Sequence, residues 1–562
     1  MSRRRWVGPV VSVVVGALVL GACAGGGPSG GGNAQVRQMS GADIDAQPVD
    51  SLKDGGNVNL PLQQWPTQWN FTQVDGTSVD LYLVGHAISF EPFLRQPDGT
   101  VQLNTNFLTS AQLVSTSPQV VEYKINPKAK WSDGTPITWR DFAADWQAQN
   151  GRNSAYEPAN TAGWEDIDSV ARGTDDQDVL VHFASPFSEW KGLTDFIYPA
   201  SHFSTPDEFN KDWVGQIPVT TGPYRVKQID NTGKVLVLER DPNWWGPKPK
   251  LDTITFRQVS ASAQPQAFAS GALDAVDIGP DVATFQTIQQ DPTADIRKAL
   301  APNWRVLNFN AKPGTPLADP AVRVAVMKGI DRVALGKAAV GPIVPDVRPL
   351  NNRIYVEGQK YYQDNGAAYN FDPAAAGKEL DADGWTLPAG SLVRQKDGKP
   401  LAISLMYPSG VPVSANEAQV IQQQLAAVGV QVTFNAVDLN AWQTQYLQSG
   451  NFEMQNMAWE STLFPISSSN GIYTYDPDNI GQNYGRIPDT EGIADLFKKA
   501  SAEFDDTKRA QIGNEIDQAL WKEGFSLPLY QRPDAWGVKK GLANFGAFGF
   551  GAVDFTLVGW QR

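Results

Sequence analysis

Residues 130–142 read KWSDGTPITWRDF, and their physical reading decides what kind of fold this chain adopts. Just before them, Val121-Glu122-Tyr123-Lys124-Ile125 alternates apolar and polar side chains, the period-two pattern of a half-buried strand. That strand ends at Asn126-Pro127. Asp133-Gly134 supplies a tight turn, and Pro136 keeps Thr135 extended. Thr138 then stands as an N-cap with Asp141 three residues on, the spacing of a capping box. A helix is predicted to start there, with Phe142 and Trp146 one turn apart on its buried face. The unit is strand, rigid turn and capped helix, and nothing in it needs catalytic chemistry.

Further along, the pattern stays mixed. Residues 235–238 and 253–256 are β-branched or apolar runs read as strands. They flank Asp241-Pro242-Asn243-Trp244-Trp245-Gly246, whose paired tryptophans are read as packing on the sheet. Residues 266–271 close a short helix, and 304–310 form a strand. Asp319-Pro320 and Asp372-Pro373 each start a helix with proline in its first turn. Helix 417–428, strand 430–437, helix 441–448 and strand 452–459 then make an α/β lobe. Two more helices, 493–504 and 508–523, lead to Leu527-Pro528-Leu529-Tyr530.

Composition excludes several function classes. With 46 basic against 60 acidic residues the formal net charge is −14, which argues against nucleic acid and against adsorption to anionic lipid. The amino terminus is a different case. Residues 1–22 carry three arginines and an apolar run too short to span a bilayer, the pattern of an export signal. They end in Leu20-Gly21-Ala22, directly before Cys23, the one cysteine of 562 residues. Residues 23–51, rich in Gly, Ser, Gln and Asp, read as a flexible tether reaching about 25–30 Å. The remaining length of about 510 residues is too much for one core and implies two or three sub-domains. The 18 tryptophans and 25 phenylalanines can supply their packing.

Several stretches together carry a family resemblance: KWSDGTPITWRDF; Thr221-Gly222-Pro223-Tyr224 followed by LERDPNWWG and Leu251-Asp252; LADPAVRVAVMKGIDR at 317–332; FDPAAAGKELDADGW at 371–385; and the C-terminal LPLYQR. In this order they resemble the extracytoplasmic solute-binding proteins of peptide-type ABC transporters, the family of dipeptide-, oligopeptide- and nickel-binding proteins. The resemblance runs from about residue 52 to the end. It implies a two-lobed α/β binding-protein fold with an extra inserted domain. Domain I would be 52–82, 212–302 and 530–562, domain II 83–211, and domain III 303–529, joined by two crossovers near 303–310 and 527–532. Cys23 resembles the acylated cysteine of a bacterial lipobox. The implied protein is a monomer without cofactor or chemistry of its own, anchored to the membrane through Cys23. It would hold an oligopeptide-like solute for an ABC permease and its ATPase subunit.

An enzyme reading competes with this one. The three histidines, His86, His182 and His202, have no zinc-ligand spacing. Gly27-Pro28-Ser29-Gly30-Gly31 fits G-x-S-x-G without the strand and helix that a nucleophile elbow requires. Ser188-Glu189-Trp190-Lys191 fits S-x-x-K without its partner motifs, and the competing reading is a helical surface serine.

In peptide binders of the family, an Asp in a W-x-x-D string pairs the ligand ammonium. Here the string is Trp459-Glu460-Ser461-Thr462, so Thr462 occupies that position. Either Glu460 supplies the carboxylate, or the ligand presents no free amine in the usual way. Trp459 and Trp442 are candidate apolar walls, with core packing as the competing account. Tyr530 and Gln531, at a crossover, are candidate hydrogen-bonding residues, and Gln64, Trp65 and Trp69 are the candidates from domain I. Other solutes of the same scaffold, an oligosaccharide, a nickel chelate or haem, stand as alternatives.

Overall fold

The strand and capped helix around residues 119–149 form as their chemistry dictates in a computed structural model that describes residues 41–562, apart from residue 479 and the side chain of residue 440. The export signal, Cys23 and residues 23–40 of the expected tether lie outside the described residues. The strand Gln119–Ile125 buries Gln119, Val121, Tyr123 and Ile125 in strict alternation. Asp133 Oδ1 accepts the Thr135 N–H at 2.8 Å, and Gly134 sits at φ 89°, where a side chain would strain the backbone. The helix Trp139–Gln149 starts in a capping box, the Thr138 N–H donating to Asp141 Oδ2 at 2.7 Å. Asp141 Oδ1 also accepts from the Ala200 N–H at 2.8 Å, which ties the helix to the turn that follows the sheet. Phe142 is buried as expected, whereas Trp146 is half-buried under the Arg152 guanidinium.

Three main sheets organise the described chain. An antiparallel sheet orders Leu108–Thr116, Gln119–Ile125, Asp178–Phe183 and Ile167–Arg172. A second orders Asn57–Leu62, Thr253–Gln258, Val235–Arg240 and Tyr224–Asp230. Beside them, Trp244 and Trp245 pack on Phe107 with their indole N–H groups donated to backbone carbonyls, a packing role. The third sheet has six strands: Ala275–Asp277, Ser526–Lys539, Ala294–Phe309, Met454–Glu460, Ala402–Pro408 and Gln431–Val437. Its last pairings are parallel, with the crossover helix Pro412–Ala426 laid on one face.

The strand expected at 304–310 begins ten residues earlier. Ala294–Phe309 and Ser526–Lys539 pair along their whole length, with a register break between Leu300 and Trp304. Charged residues hid the first half of this strand. Arg297 is almost fully buried, and its guanidinium donates to the carbonyls of Ile44, Leu542 and Phe545.

The same contacts correct the tether boundary at residue 51. Asp43 exchanges backbone hydrogen bonds with Ala547, its carboxylate accepts the Lys298 N–H at 3.0 Å, and the Gln47 N–H donates to Asn544 Oδ1 at 2.7 Å. Residues 41–51 thus lie on the folded body. Asp and Gln are common in loose linkers, and they are equally able to satisfy a neighbouring backbone.

Candidate functional site

Two rows of residues cross the middle strands of the six-stranded sheet. Arg305 pairs with Tyr530 on one side and Ala458 on the other. Two residues away, Asn303 pairs with Glu460, and its side-chain oxygen accepts from Arg532 Nη1 at 2.9 Å. Residues two apart on a strand share a face. Asn456, Ala458 and Glu460 therefore lie on the side of helix Pro412–Ala426, as do Tyr530 and Arg532. Hydrogen bonds from Asn456 and Tyr530 to Glu417 of that helix agree with this assignment.

The first row is closed under the helix. Arg305 donates to both oxygens of Glu417, from Nη2 at 2.5 Å and from Nε at 3.0 and 3.2 Å, and to Ser414 Oγ. Tyr530 gives its hydroxyl to Glu417 Oε1 at 2.7 Å, and burial, with the Glu417 charge, pushes that phenol far up. Tyr530 is 1% exposed. It is thus a structural residue and not the expected ligand donor, because its hydroxyl is already committed.

The second row is open. Glu460 ends its strand with its side chain exposed, yet it stands in a recess that raises its carboxyl above the usual range, with Arg95 and Arg532 pulling the other way. Arg95 holds Asp195 at 2.6 Å and lies over the Tyr82 ring. Further along the same face, burial pushes Asp277 and Asp534 up to about 6, with the Asp80 charge adding to the rise of Asp277 and the Asp277 charge to that of Asp534. Gln63 Nε2 donates to Asp277 at 3.0 Å, while Asp80 accepts the N–H groups of Gln63 and Gln64 and so fixes that loop. The exposed Gln64 is accordingly held in the loop that reaches this face.

The other expected site residues are placed elsewhere. Trp459 points to the opposite face from Glu460, stacked on Tyr484 at 6.2 Å and 8° in a cluster that Trp442 joins. Trp442 opens a π-helical turn, Trp442–Leu447, and its buried indole N–H has no protein partner. The two tryptophans come together, but not on the wall that carries Glu460. Gln531 donates to the carbonyls of Ala301 at 2.7 Å and Glu357 at 2.9 Å, stapling the register break. Trp65 and Trp69 are core residues, packed edge to face at 5.3 Å, with the Trp65 N–H on Asn231. Their polar-aromatic stretch resembled a binding loop because a Trp-rich core element has the same composition. Thr462 accepts the Phe464 N–H and pairs with Ser468 at the start of helix Pro465–Tyr473.

Ser188 is buried and not on the surface, its hydroxyl donated to the Ala500 carbonyl, and the Lys191 ammonium lies over the Trp190 ring. That arrangement makes no nucleophile–base pair. Glu189 is buried and accepts the N–H groups of Ile466 and Ser467 at 3.1 and 2.7 Å, capping the helix that begins at Pro465. A cavity of about 500 Å³ lies beside it, lined by Trp190, Tyr355, Tyr361, Phe464 and Arg509 among others.

Sequence reasoning missed Arg532, Asn303, Arg95 and Asp277. Arg532 carried a signal, an arginine two residues from Tyr530 in an apolar strand. Arg95 and Asp195, one hundred positions apart, carried none.

The profile of bacterial extracellular solute-binding proteins, family 5 Middle, matches residues 103–481. The chain is similar to the oligopeptide-binding protein OppA of Mycobacterium tuberculosis, 37% identical over 570 residues that span 100% of this chain and 94% of OppA. Among solved structures it is similar to the periplasmic EDTA-binding protein EppA, with a TM-score of 0.81 at 26% identity, covering 94% of this chain and 100% of that one. The oligopeptide-binding protein AppA from Bacillus subtilis, in complex with a nonapeptide, matches with a TM-score of 0.70 at 19% identity over 91% of this chain and 100% of AppA. The fold is the two-lobed α/β fold of these binding proteins. On the match to the profile and to a relative along its whole length, the chain belongs to the bacterial extracellular solute-binding proteins of family 5.

Proposed function

We propose that this protein is the lipid-anchored substrate-binding component of an ABC importer, holding an oligopeptide-like solute between its lobes and delivering it to a membrane permease driven by a separate ATPase. The observation that carries this reading is the 37% identity to an oligopeptide-binding protein along the entire chain. The open row at Glu460 supports it, since a peptide binder needs an anion for the ligand ammonium at the strand ends. Domain I at 52–82, 212–302 and 530–562, domain II at 83–211 and domain III at 303–529 remain the proposed division, with residues 41–51 added to domain I. The paired strands Ala294–Phe309 and Ser526–Lys539 would carry the hinge. The likeness to an EDTA-binding protein favours a second reading, a polycarboxylate chelate in the same cleft.

Mass spectrometry of the small molecules that co-purify with the protein tests the solute: short peptides are expected, and a metal chelate or an oligosaccharide in their place would overturn the peptide reading. Anchoring is tested by Cys23→Ala, which should move the protein from the membrane fraction to the medium or soluble fraction; full membrane retention would end the lipobox reading.

A further inference from the structure

Among the described residues the buried arginines are satisfied, whereas half-buried Arg532 is not. An arginine brings five N–H donors and a charge that costs several kcal/mol to desolvate unpaired. Arg305 is met by Glu417 and Ser414, and Arg353 by Asp517 and Ser526. Arg323 is met by four carbonyls and Glu523, and Arg394 by two carbonyls and Asp381. Arg332 has no carboxylate, yet it donates to two carbonyls, Asn351 and Asn370. Half-buried Arg532 has the single bond to Asn303, and among the described residues no carboxylate lies within ion-pair distance of it. Burial and the neighbouring Arg305 cation both disfavour its charge, and Tyr530, Glu417 and Asp277 only partly offset them.

Its placement gives this deficit a meaning. Arg532, Asn303 and Glu460 stand level on three adjacent strands and project from one face, so the Cα atoms of Arg532 and Glu460 are roughly 10 Å apart at about 4.8 Å per strand. Asn303 separates the two charges and keeps them from neutralising each other. The row is a positive and a negative group held apart by a neutral spacer.

We propose that Arg532 is the receptor for a carboxylate of the solute, so that the open row selects a short zwitterion with its ammonium toward Glu460 and its carboxylate toward Arg532. The inference rests on the peptide reading and sharpens it. An extended chain advances about 3.3 Å per residue, so peptides of roughly two to four residues match the row, and longer ones leave one charge unmet. The planar guanidinium suits a carboxylate because two parallel N–H groups can meet its two oxygens.

Calorimetric titration of trialanine and trialanine amide into the wild-type protein, Arg532→Gln and Arg532→Lys tests the proposal. The wild type should prefer the free acid, and Arg532→Gln should weaken it by roughly 30-fold or more while leaving the amide unchanged. Arg532→Lys should restore part of the difference, the charge without the fork. Equal binding of acid and amide by the wild type, or equal loss of both in Arg532→Gln, would overturn the assignment. Should neither peptide bind the wild type, the peptide reading fails, and ligand-free thermal melts then decide Arg532 by themselves. A cation held uncompensated for a ligand predicts that Arg532→Gln melts at the same temperature or higher; a clear fall would make Arg532 structural and refute the proposal.

Discussion

Two rows of side chains, two residues apart on the same face of the same three strands, follow opposite logic. In the row of Tyr530 and Arg305, every charge and hydroxyl is consumed by Glu417 under helix Pro412–Ala426, and Asn456 adds a further bond at 2.8 Å. In the row of Arg532, Asn303 and Glu460, the charges have one hydrogen bond between them and solvent beyond. Both rows place an arginine and a glutamate near a strand crossing. The difference is that a helix covers one and nothing in the described chain closes the other. A closed network fixes a structure, whereas an open one, held in place by rigid strands, leaves binding capacity for something else.

The largest expected effect breaks the closed row. Glu417→Ala strands the Arg305 guanidinium in a site where Arg305 is 5% exposed, and it also removes the acceptor of the Tyr530 hydroxyl. Removing one partner of a buried pair costs about 3–5 kcal/mol, a large part of the stability of an ordinary domain. Denaturant unfolding should show the midpoint falling with the slope unchanged. A loss below about 1 kcal/mol would mean that water reaches Arg305 and that the two rows differ less than their geometry says.

The open row should respond in binding and not in stability. Glu460→Gln keeps size and removes the charge, so it should weaken a peptide with a free amino terminus by about 2–3 kcal/mol, while stability changes by no more than about 0.5 kcal/mol. An N-acetylated version of the same peptide should bind both proteins alike. Titrating both ligands into both proteins gives the coupling energy, and a value near zero would move the ammonium site away from Glu460.

The closed parts of the fold were legible in the sequence, and the open row only in part. Thr138 and Asp141 announce their capping box because both partners lie within one turn, and Asp319-Pro320 and Asp372-Pro373 announce helix starts for the same reason. Glu460 was legible through its neighbourhood in a W-x-x-D-like string. Its companions were not, because Asn303 and Arg532 meet it only through strand pairing over more than 150 and 70 positions. Tyr530 and Gln531 read as ligand hydrogen-bonding residues from their place in the chain. The prior commitment of their donor groups to Glu417, Ala301 and Glu357 could not be read there. Trp459 is set apart from Glu460 for a simpler reason: strand alternation sends it to the opposite face, and only knowing where the strand ends reveals which of the two turns outward.

The smallest effect concerns the carboxylates that extend the open row. Asp534 Oδ2 accepts the N–H groups of Phe548 and Gly549 at 2.7 and 3.0 Å, so it is held in place while burial and Asp277 push it up to about 6. A carboxyl whose folded value lies above its unfolded value binds more protons in the native state. Its contribution to stability is therefore full below about pH 4 and is lost as pH rises through about 6. Between pH 5 and pH 8 the wild type should lose about 1–2 kcal/mol through Asp534. Asp534→Asn can still accept both backbone N–H groups through one oxygen, and it carries no charge for Asp277 to oppose. That variant should match or exceed the wild type at pH 8 and show a shallower decline from pH 5, read as the difference between the two proteins in denaturant midpoint at each pH. Parallel curves would place the Asp534 carboxylate in water, and the recess around the open row would then be wetter than its walls imply.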